Sequence, residues 1–260
     1  MSNKLFPLTA KYDKYWVMQN SIIENVLHYV ESLCEVLKFE KGMRVLDLAC
    51  GKAVSSIFLA KEYDVQVWAI DKEISPTENY KRIIEMNCDN RVFPIKADAR
   101  NLHFSKEFFD VVIAIEYSYF GTDDWYLPYI SQFLKPRGLI GIVDWCYKRE
   151  LGSLIDVPEY LKPCYQDVGF HSLHSIDWWK NLWEKTGLVK VLHAEILPHS
   201  DFILQEFIKN FKDLESEQKI INALLNDEEK LISCFRLVGQ RTEKQPYLEY
   251  SDADKQGLCD

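Results

Sequence analysis

Three acidic residues each follow an apolar run, and their types and positions predict a nucleoside-binding site. Asp47 lies in "DLACGKA" after "MRVL", Asp71 closes "VQVWAID", and Asp98 lies in "KADARNL" after "RVFPIK". A carboxylate at a strand end can accept both hydroxyls of a ribose, and a loop acid followed by exposed backbone can read an adenine edge. The glycine of the first loop admits close backbone approach, and the helix start at about Ala53 favours a carboxylate or phosphate. Together these residues predict an adenosine ligand that carries an amino acid.

Each of these residues also has an ordinary structural interpretation. Asp47 can cap a tight turn at a strand end, and "DARN" around Asp98 can be a plain turn. Cys50, within the first loop, is typical of a small side chain packed beneath a turn rather than of a nucleophile. Glu116 ends a further apolar run, where a buried acid paired with a backbone donor is the alternative to a site role.

Strands and helices alternate along the first half of the chain, which predicts the position of these acids. The runs "MRVLDLA", "VQVWAID", "RVFPIK", "FFDVVIAI" and "LIGIVDW" are separated by helical segments or loops, among them "SPTENYKRIIEMN" and "DDWYLPYISQFL" followed by the turn "KPRG". Near-continuous apolar strands are typical of a parallel sheet covered on both faces. In such a doubly wound sheet, ligands bind beyond the carboxyl ends of the strands.

The flanking regions predict helices around this sheet. An amphipathic helix is expected from Ser21, with a Ser21–Glu24 capping box. After Asp144 the pattern predicts an irregular excursion, a helix "SIDWWKNLWEKTG" closed by Gly187, a sixth strand "LVKVLHAEI", two helices over 199–228 and a last strand "LISCFRLVGQR". We expect one domain over residues 1–241. Its additions are an N-terminal helical lid (1–40), an irregular insertion (147–173) and a helical cover (197–229), and a flexible tail (242–260) follows it.

Composition and charge exclude several classes of function. The net charge of −9 gives no basic stripe for a nucleic acid. Seven cysteines without a C-x-x-C pair argue against a disulfide framework and a zinc site and favour a reducing cytoplasm. The amino terminus lacks the apolar core of a signal peptide, and no stretch approaches the roughly 20 apolar residues of a membrane span. We therefore expect a cytoplasmic protein without a metal, a membrane or a nucleic-acid partner, either monomeric or homodimeric.

The sequence resembles the class I S-adenosylmethionine-dependent methyltransferases from about Tyr12 to Arg241. The motifs that carry the resemblance are "VLDLACGKA", "VWAID", "ADARNL", "FDVVIAIEYSYF" and "LKPRGLIGIVD". The resemblance implies an α/β, Rossmann-like, doubly wound seven-stranded sheet whose last strand is antiparallel, with N-terminal helices and a helical insertion before that strand. It also implies S-adenosyl-L-methionine as the cofactor.

The resemblance also implies roles for individual residues. Asp47 and the loop backbone around Ala49 and Gly51 would hold the methionine amino group, Asp71 the ribose, and Asp98 with Ala99 the adenine. Glu116 and Tyr117 would face the methionine part and the acceptor. Lys52 can contact the ligand carboxylate or point into water, and Lys72, next to Asp71, completes the predicted cofactor-binding set.

The loop departs from the family pattern of an acid followed by three alternating glycines. Two of those glycines are replaced here by Ala49 and Ala53. If either position requires φ > 0, alanine costs about 1 kcal/mol or more and distorts the loop. The competing NAD-dependent dehydrogenase interpretation requires G-x-G-x-x-G, which "ACGKAV" does not supply.

Aromatic residues supply the remaining candidates near the reacting groups. Tyr12 and Tyr15, with Trp16, are expected in a lid over the site or, alternatively, in a helix packed on the sheet. Tyr117 and Tyr119, with Phe120, line the pocket or belong to the core. Tyr12, Tyr15, Tyr117 and Tyr119 are the catalytic candidates, and no general base is assigned. A cluster after the fifth strand, formed by His171, His174, Trp178 and Trp179, is more typical of packing than of substrate contact.

The leading functional hypothesis is methyl transfer to a small soluble acceptor, at N or O rather than C. Direct displacement at a sulfonium methyl mainly requires alignment and exclusion of water. One alternative is lipid chemistry, because the chain resembles the branch near the cyclopropane fatty acid synthases; the lack of a basic amphipathic surface disfavours it. The other alternative, favoured by the two loop alanines, is a non-catalytic protein that binds S-adenosylmethionine or a partner.

Overall fold

Seven runs rich in apolar and β-branched residues form the strands of the sheet, and the central strands are buried on both faces. The computed structural model describes residues 2–21, 26–116 and 122–246. The strands are β1 (Arg44–Leu48), β2 (Gln66–Asp71), β3 (Val92–Lys96), β4 (Phe109–Ile115), β5 (Leu134–Tyr147), β6 (Val189–Ile196) and β7 (Ile232–Arg241).

The strands form one sheet in the order β3-β2-β1-β4-β5-β7-β6. Strands β1 to β5 pair in parallel, whereas β7 runs antiparallel to both β5 and β6. The expected Rossmann-like fold with an antiparallel last strand is therefore confirmed. The chain moves outward from β1 to β3 and then returns to β4 on the other side of β1. This reversal opens a crevice at the carboxyl ends of β1 and β4, where ligands bind in sheets of this kind.

Helices cover both faces of the sheet over two apolar cores. They are α1 (Ser2–Leu5), α2 (Lys14–Asn20), α3 (Val26–Cys34), α4 (Val54–Tyr63), α5 (Pro76–Glu85), α6 (Tyr126–Ser131), α7 (Lys162–Asp167), α8 (Ile176–Lys185), α9 (Ser200–Phe211) and α10 (Gln218–Leu225). One core contains side chains from α3, α4 and α9, and the other contains side chains from α6 and α8. Among the helices that the structure describes, none combines the length and the hydrophobicity of a membrane-spanning segment.

Several local predictions differ in detail from the structure. The predicted turn "KPRG" lies inside β5, where Arg137 has φ 66° and the pairing with β4 shifts register. The helix expected from Ser21 is described only from Val26, and Glu24 of its capping box lies outside the described residues. Helix α5 begins after Ser75 as predicted, but the Ser75 side chain makes no capping hydrogen bond. The predicted excursion over 147–173 contains α7 and three short 3-10 turns. The division of the chain into lid, insertion, cover and tail stays a prediction.

Candidate cofactor site

The loop after β1 has left-handed backbone at alternate residues. Ala49, Gly51 and Ala53 have φ of 51°, 55° and 62°. The left-handed conformation brings the Cβ of an L-residue close to the following carbonyl oxygen and costs roughly 1–2 kcal/mol per residue. Because both alanines adopt it, the loop keeps the shape that glycine would adopt freely. Two backbone hydrogen bonds help to impose this shape, from Cys50 N to Ile70 O and from Ala53 N to Cys50 O, each 2.9 Å.

Asp71, at the end of β2, holds this loop in place. Its Oδ2 accepts from the backbone N–H of Gly51 at 2.9 Å. Its Oδ1 accepts from the backbone N–H groups of Glu73 and Ile74, each at 2.8 Å. The carboxylate therefore ties the β1 loop to the β2 loop. It also lines a cavity at this edge of the sheet.

Asp47 lies one residue before the end of β1 and is 1% exposed. Its Oδ2 accepts from the hydroxyls of Ser55 and Ser56, at 2.7 and 2.6 Å, in the first turn of α4. Burial raises the pKa of this carboxyl to about 6, while the two serine hydrogen bonds oppose the rise. The strand-end acid therefore fixes the start of the helix that follows the loop.

A cavity of about 230 Å³ lies at this edge of the sheet. Six of the predicted cofactor-binding residues line it: Asp47, Ala49, Gly51, Lys52, Asp71 and Glu116. Asn20, Ser21 and Val26 line it from the amino-terminal side of the chain. Carboxylates from three strand ends thus line one cavity, and Lys52 is the single lysine among its lining residues. The Lys52 Nζ donates to Gln19 O at 2.9 Å.

Of the remaining predicted cofactor contacts, Lys72, Asp98 and Ala99 are not among the lining residues of this cavity, and Tyr117 lies outside the described residues. Asp98 pairs with Arg100: Nε donates to Oδ1 at 3.0 Å and Nη2 to Oδ2 at 2.7 Å. This pairing holds the pKa of Asp98 below its usual range. The Lys72 Nζ lies 3.9 Å from Asp98 Oδ2, and Ala99 is buried in the core on the α6 and α8 side. Of the three acids expected to converge, Asp47 and Asp71 line one cavity, and the adenine role of Asp98 and Ala99 stays a prediction.

Glu116 follows β4 with a left-handed backbone, φ 49°. Its backbone N–H donates to Val143 O at 2.8 Å. Its Oε1 accepts from the Trp145 indole N–H at 2.7 Å, and the same N–H lies 3.1 Å from the Tyr29 hydroxyl. A buried indole donor thus fixes a carboxylate at the cavity wall.

The aromatic candidates that the structure describes, Tyr12 and Tyr15, are not among the residues that line the cavity. The Tyr12 hydroxyl donates to Glu62 at 3.3 Å, at the end of α4 opposite to the loop, and Tyr15 is 63% exposed. Burial is the main cause that raises the pKa of Tyr12. Tyr117 and Tyr119, with Phe120, lie outside the described residues. The catalytic assignments of the four tyrosines stay predictions.

The cluster after β5 lies apart from the lining of this cavity. His174 stacks on Trp178 with ring centroids 3.7 Å apart, and its Nδ1 lies 2.7 Å from Glu150. Trp179 is buried against Phe235. These contacts agree with the packing interpretation of the cluster. Within the described ranges, no group of His, Cys, Asp and Glu side chains is arranged to hold a metal ion.

Ser21 lines the cavity, although the sequence pattern predicts it only as a helix cap. Its hydroxyl is buried and has no hydrogen-bond partner among the described residues. A buried polar atom without a partner is costly, so a cavity that contains one suits a polar ligand. The signal available in the sequence was a serine directly before a helix, and it does not distinguish a cap from a ligand contact.

Comparison with known proteins is consistent with the geometry. A family model described as a methyltransferase domain matches residues 45–138, which include β1 to β4 and the start of β5. The fold is similar to geranyl diphosphate C-methyltransferase from Streptomyces coelicolor A3(2), with a TM-score of 0.67, 14% identity and coverage of 82% of this chain and 76% of that one. Residues 45–138 therefore match a methyltransferase domain, and the fold around them is that of a solved methyltransferase. The expected family, its cofactor and the assignment to the methyltransferases are confirmed at the level of this domain.

Curated methyltransferases of this domain differ in acceptor. The chain is 28% identical over 136 residues to 27-O-demethylrifamycin SV methyltransferase of Amycolatopsis mediterranei, which covers 50% of the chain and 49% of that protein. It is 24% identical over 195 residues to phosphoethanolamine N-methyltransferase 1 of Arabidopsis thaliana, which covers 74% of the chain and 38% of that protein. The chain thus spans about half or less of the length of each of these relatives.

Replacing the first loop alanine by glycine tests the strain in the loop. We expect Ala49→Gly to raise the free energy of unfolding by about 0.5–1 kcal/mol, because relief of the left-handed strain exceeds the added entropy of the unfolded chain. Urea denaturation measures the change. The control Ala194→Gly, in β6 at ordinary φ, should lower stability instead. A loss of stability in Ala49→Gly would contradict the strain argument.

The raised pKa of Asp47 predicts a pH dependence of stability. The native state binds the Asp47 proton more tightly than the unfolded chain does. Protonation of Asp47 therefore stabilises the native state fully below about pH 4, and this stabilisation is lost as the pH rises to about 6. Asp47→Asn removes the titrating carboxyl group but keeps a side-chain oxygen that can accept from the hydroxyls of Ser55 and Ser56. We expect its stability relative to wild type to rise by on the order of 3 kcal/mol between pH 4 and 7. Denaturation curves at both pH values provide the measurement, and parallel pH profiles would contradict it.

Proposed function

We propose that the protein transfers the methyl group of S-adenosylmethionine to a small soluble acceptor in the cytoplasm, at nitrogen or oxygen rather than carbon. The observation that carries this proposal is the shared cavity of Asp47, Asp71 and Glu116 at the switch point of the sheet. The net charge of −9 disfavours nucleic acid as the acceptor. Either a monomer or a homodimer is compatible with the proposal.

The charges of the lining residues favour one orientation of the cofactor. S-adenosylmethionine carries a sulfonium, an ammonium and a carboxylate. The cations are attracted to the sheet side, where Asp47 and Glu116 lie. The carboxylate is favoured beside the Ser21 hydroxyl, which is a donor without a partner among the described residues, and beside Lys52, the lining cation.

Asp71 is the residue proposed to bind the ribose. A carboxylate has about four lone-pair positions, and three of them accept the backbone N–H groups of residues 51, 73 and 74. One position remains for a ribose hydroxyl without loss of a loop contact. Ribose binding and loop shape therefore depend on the same side chain.

Glu116 favours an amine as the acceptor. Its carboxylate lines the cavity, and Trp145 fixes one of its oxygens. A carboxylate held there can accept from the N–H of an amine and favours the positive charge that forms as nitrogen takes the methyl group. Attack by the nitrogen lone pair forms the N–C bond as the C–S bond breaks and its electron pair returns to sulfur, which leaves S-adenosylhomocysteine. The product ammonium then loses its proton to solvent or to the carboxylate.

Substitution of Asp71 tests cofactor binding. We expect Asp71→Ala to weaken S-adenosylhomocysteine binding by roughly 1–3 kcal/mol, because charged hydrogen bonds are lost. Isothermal titration calorimetry measures the affinity, and calorimetric unfolding shows whether the loop change also destabilises the fold. Asp167→Ala, which removes an exposed carboxylate paired with Lys219, is the matched control. Equal affinity for wild type and Asp71→Ala would remove Asp71 from the site.

Substitution of Glu116 tests the acceptor. With radiolabelled S-adenosylmethionine and a panel of small amines and phenols, we expect Glu116→Gln to lower kcat/KM for the best amine about 10- to 100-fold. The S-adenosylhomocysteine Kd should change less than about threefold. Glu159→Gln, at an 87% exposed side chain, is the control. Methylation of phenols alone would contradict an amine acceptor, and cofactor binding without any transfer would favour the non-catalytic alternative.

A further inference from the structure

Four side-chain hydrogen bonds connect the β1 loop to the amino-terminal segment, which we define as residues 14–21. Asn79 Nδ2 donates to Gly51 O, and Arg82 Nη1 donates to Asn79 Oδ1, each at 2.9 Å. Arg82 Nε donates to Asn20 Oδ1, and Asn20 Nδ2 donates to Trp16 O, again at 2.9 Å each. We call Asn20, Asn79 and Arg82 the clasp. It forms a continuous path from the cofactor loop to the body of α2.

The clasp has one consistent arrangement of donors and acceptors. Asn79 and Arg82 are three residues apart on α5 and therefore share one helix face. The Asn79 amide is buried, with 1% of the residue exposed, and its nitrogen is used by the Gly51 carbonyl. Its oxygen must then accept, and the Arg82 guanidinium is the donor that meets it. One guanidinium thereby donates to the side-chain oxygens of both asparagines. The compact ammonium group of a lysine lacks the planar fork of donors that this geometry requires.

Helix α2 is held in part by such polar links, since its Trp16 and Val17 are only partly buried against the core. No residue of α2 is fully buried, and its Tyr15 and Met18 are 63% and 64% exposed. A second link runs parallel to the clasp, since Lys52 Nζ donates to Gln19 O at 2.9 Å near the C-terminal end of the helix. Both links start at residues 51 and 52 of the cofactor loop. The amino-terminal segment is therefore positioned by the loop that would contact the cofactor.

The clasp acts on residues that line the cavity. Gly51 is held on both sides, its N–H by Asp71 and its carbonyl by Asn79. At the other end of the clasp, Asn20 and the adjacent Ser21 form part of the cavity wall. Any ligand that fixes the Gly51 loop thus favours the position of Ser21, and contact with Ser21 favours the loop in return.

We propose that Arg82 is a positioning residue that couples the cofactor loop to the amino-terminal segment, so that cofactor binding and closure of this segment occur together. The inference rests on the proposed function for the identity of the ligand. Arg82 itself is not among the residues that line the cavity. Its effect on binding therefore acts through Asn20 and Asn79.

The test is hydrogen–deuterium exchange of the full chain, with and without S-adenosylhomocysteine, in wild type, Arg82→Met, Asn20→Ala and the double variant. In the ligand-free protein we expect exchange over residues 14–21 to rise at least fivefold in each single variant, with no further rise in the double variant. The ligand should protect residues 14–21 in wild type but not in Arg82→Met, whose Kd should rise about fivefold. Lys81→Met, an exposed cation of the same helix, should behave as wild type.

Three outcomes would overturn the coupling. The first is that hydrogen–deuterium exchange over residues 14–21 is unchanged in Arg82→Met. The second is that the increases in exchange of the two single variants multiply in the double variant. The third is that S-adenosylhomocysteine protects residues 14–21 in Arg82→Met as fully as in wild type. A uniform rise in exchange along the chain would indicate general destabilisation and also count against it. If wild type binds no S-adenosylhomocysteine, the proposed cofactor function fails, and the ligand-free comparison still decides whether the clasp positions the segment.

Discussion

The hydrogen bonds on both sides of Gly51 are the constraint on which the rest of the site depends. Its N–H is held by Asp71 and its carbonyl by Asn79, so the loop after β1 has one shape. The neighbouring alanines, Ala49 and Ala53, have unfavourable left-handed backbone, and such strain persists only where surrounding contacts over-determine it. The hydrogen bonds that hold the two alanines in left-handed backbone therefore also shape the cavity. Loss of either partner would affect backbone conformation before it affected any direct ligand contact.

Electrostatics at this edge of the sheet follow from the architecture. Parallel strands end together, so acids that each lie at a strand end meet although they are distant in sequence. Asp47 is the most buried of them, and its raised pKa of about 6 shows that desolvation exceeds the help of two serine hydroxyls. At neutral pH it is largely ionised. The sheet side of the cavity therefore attracts cations, which suits a sulfonium ligand and disfavours a phosphate.

Local patterns in the sequence predicted the parallel sheet and the carboxylates at the ends of β1, β2 and β4, because period and strand ends are properties of neighbouring residues. The antiparallel last strand was implied only by the family resemblance. The pairing of Asp98 was also visible in principle, since Arg100 follows two positions later. The left-handed φ of Ala49 was not predictable from its type, because tertiary contacts impose it. Nor was the hydrogen bond between Arg82 and Asn20, which are 62 residues apart in the sequence.

Polar links suit the closure proposed for the amino-terminal segment, which would also have to open. Direct methyl displacement depends on alignment and on exclusion of water, so the reactive state requires a closed wall near Ser21. A helix held by a buried apolar face would resist opening, since each fully buried large side chain contributes about 1.5–3 kcal/mol. The clasp and the Lys52 contact add to the partly buried face of α2 hydrogen bonds worth about 0.5–1.5 kcal/mol each, or somewhat more for the charged donors. Their strict geometry selects one closed position, and their modest strength allows exchange of cofactor and product without unfolding the core beneath.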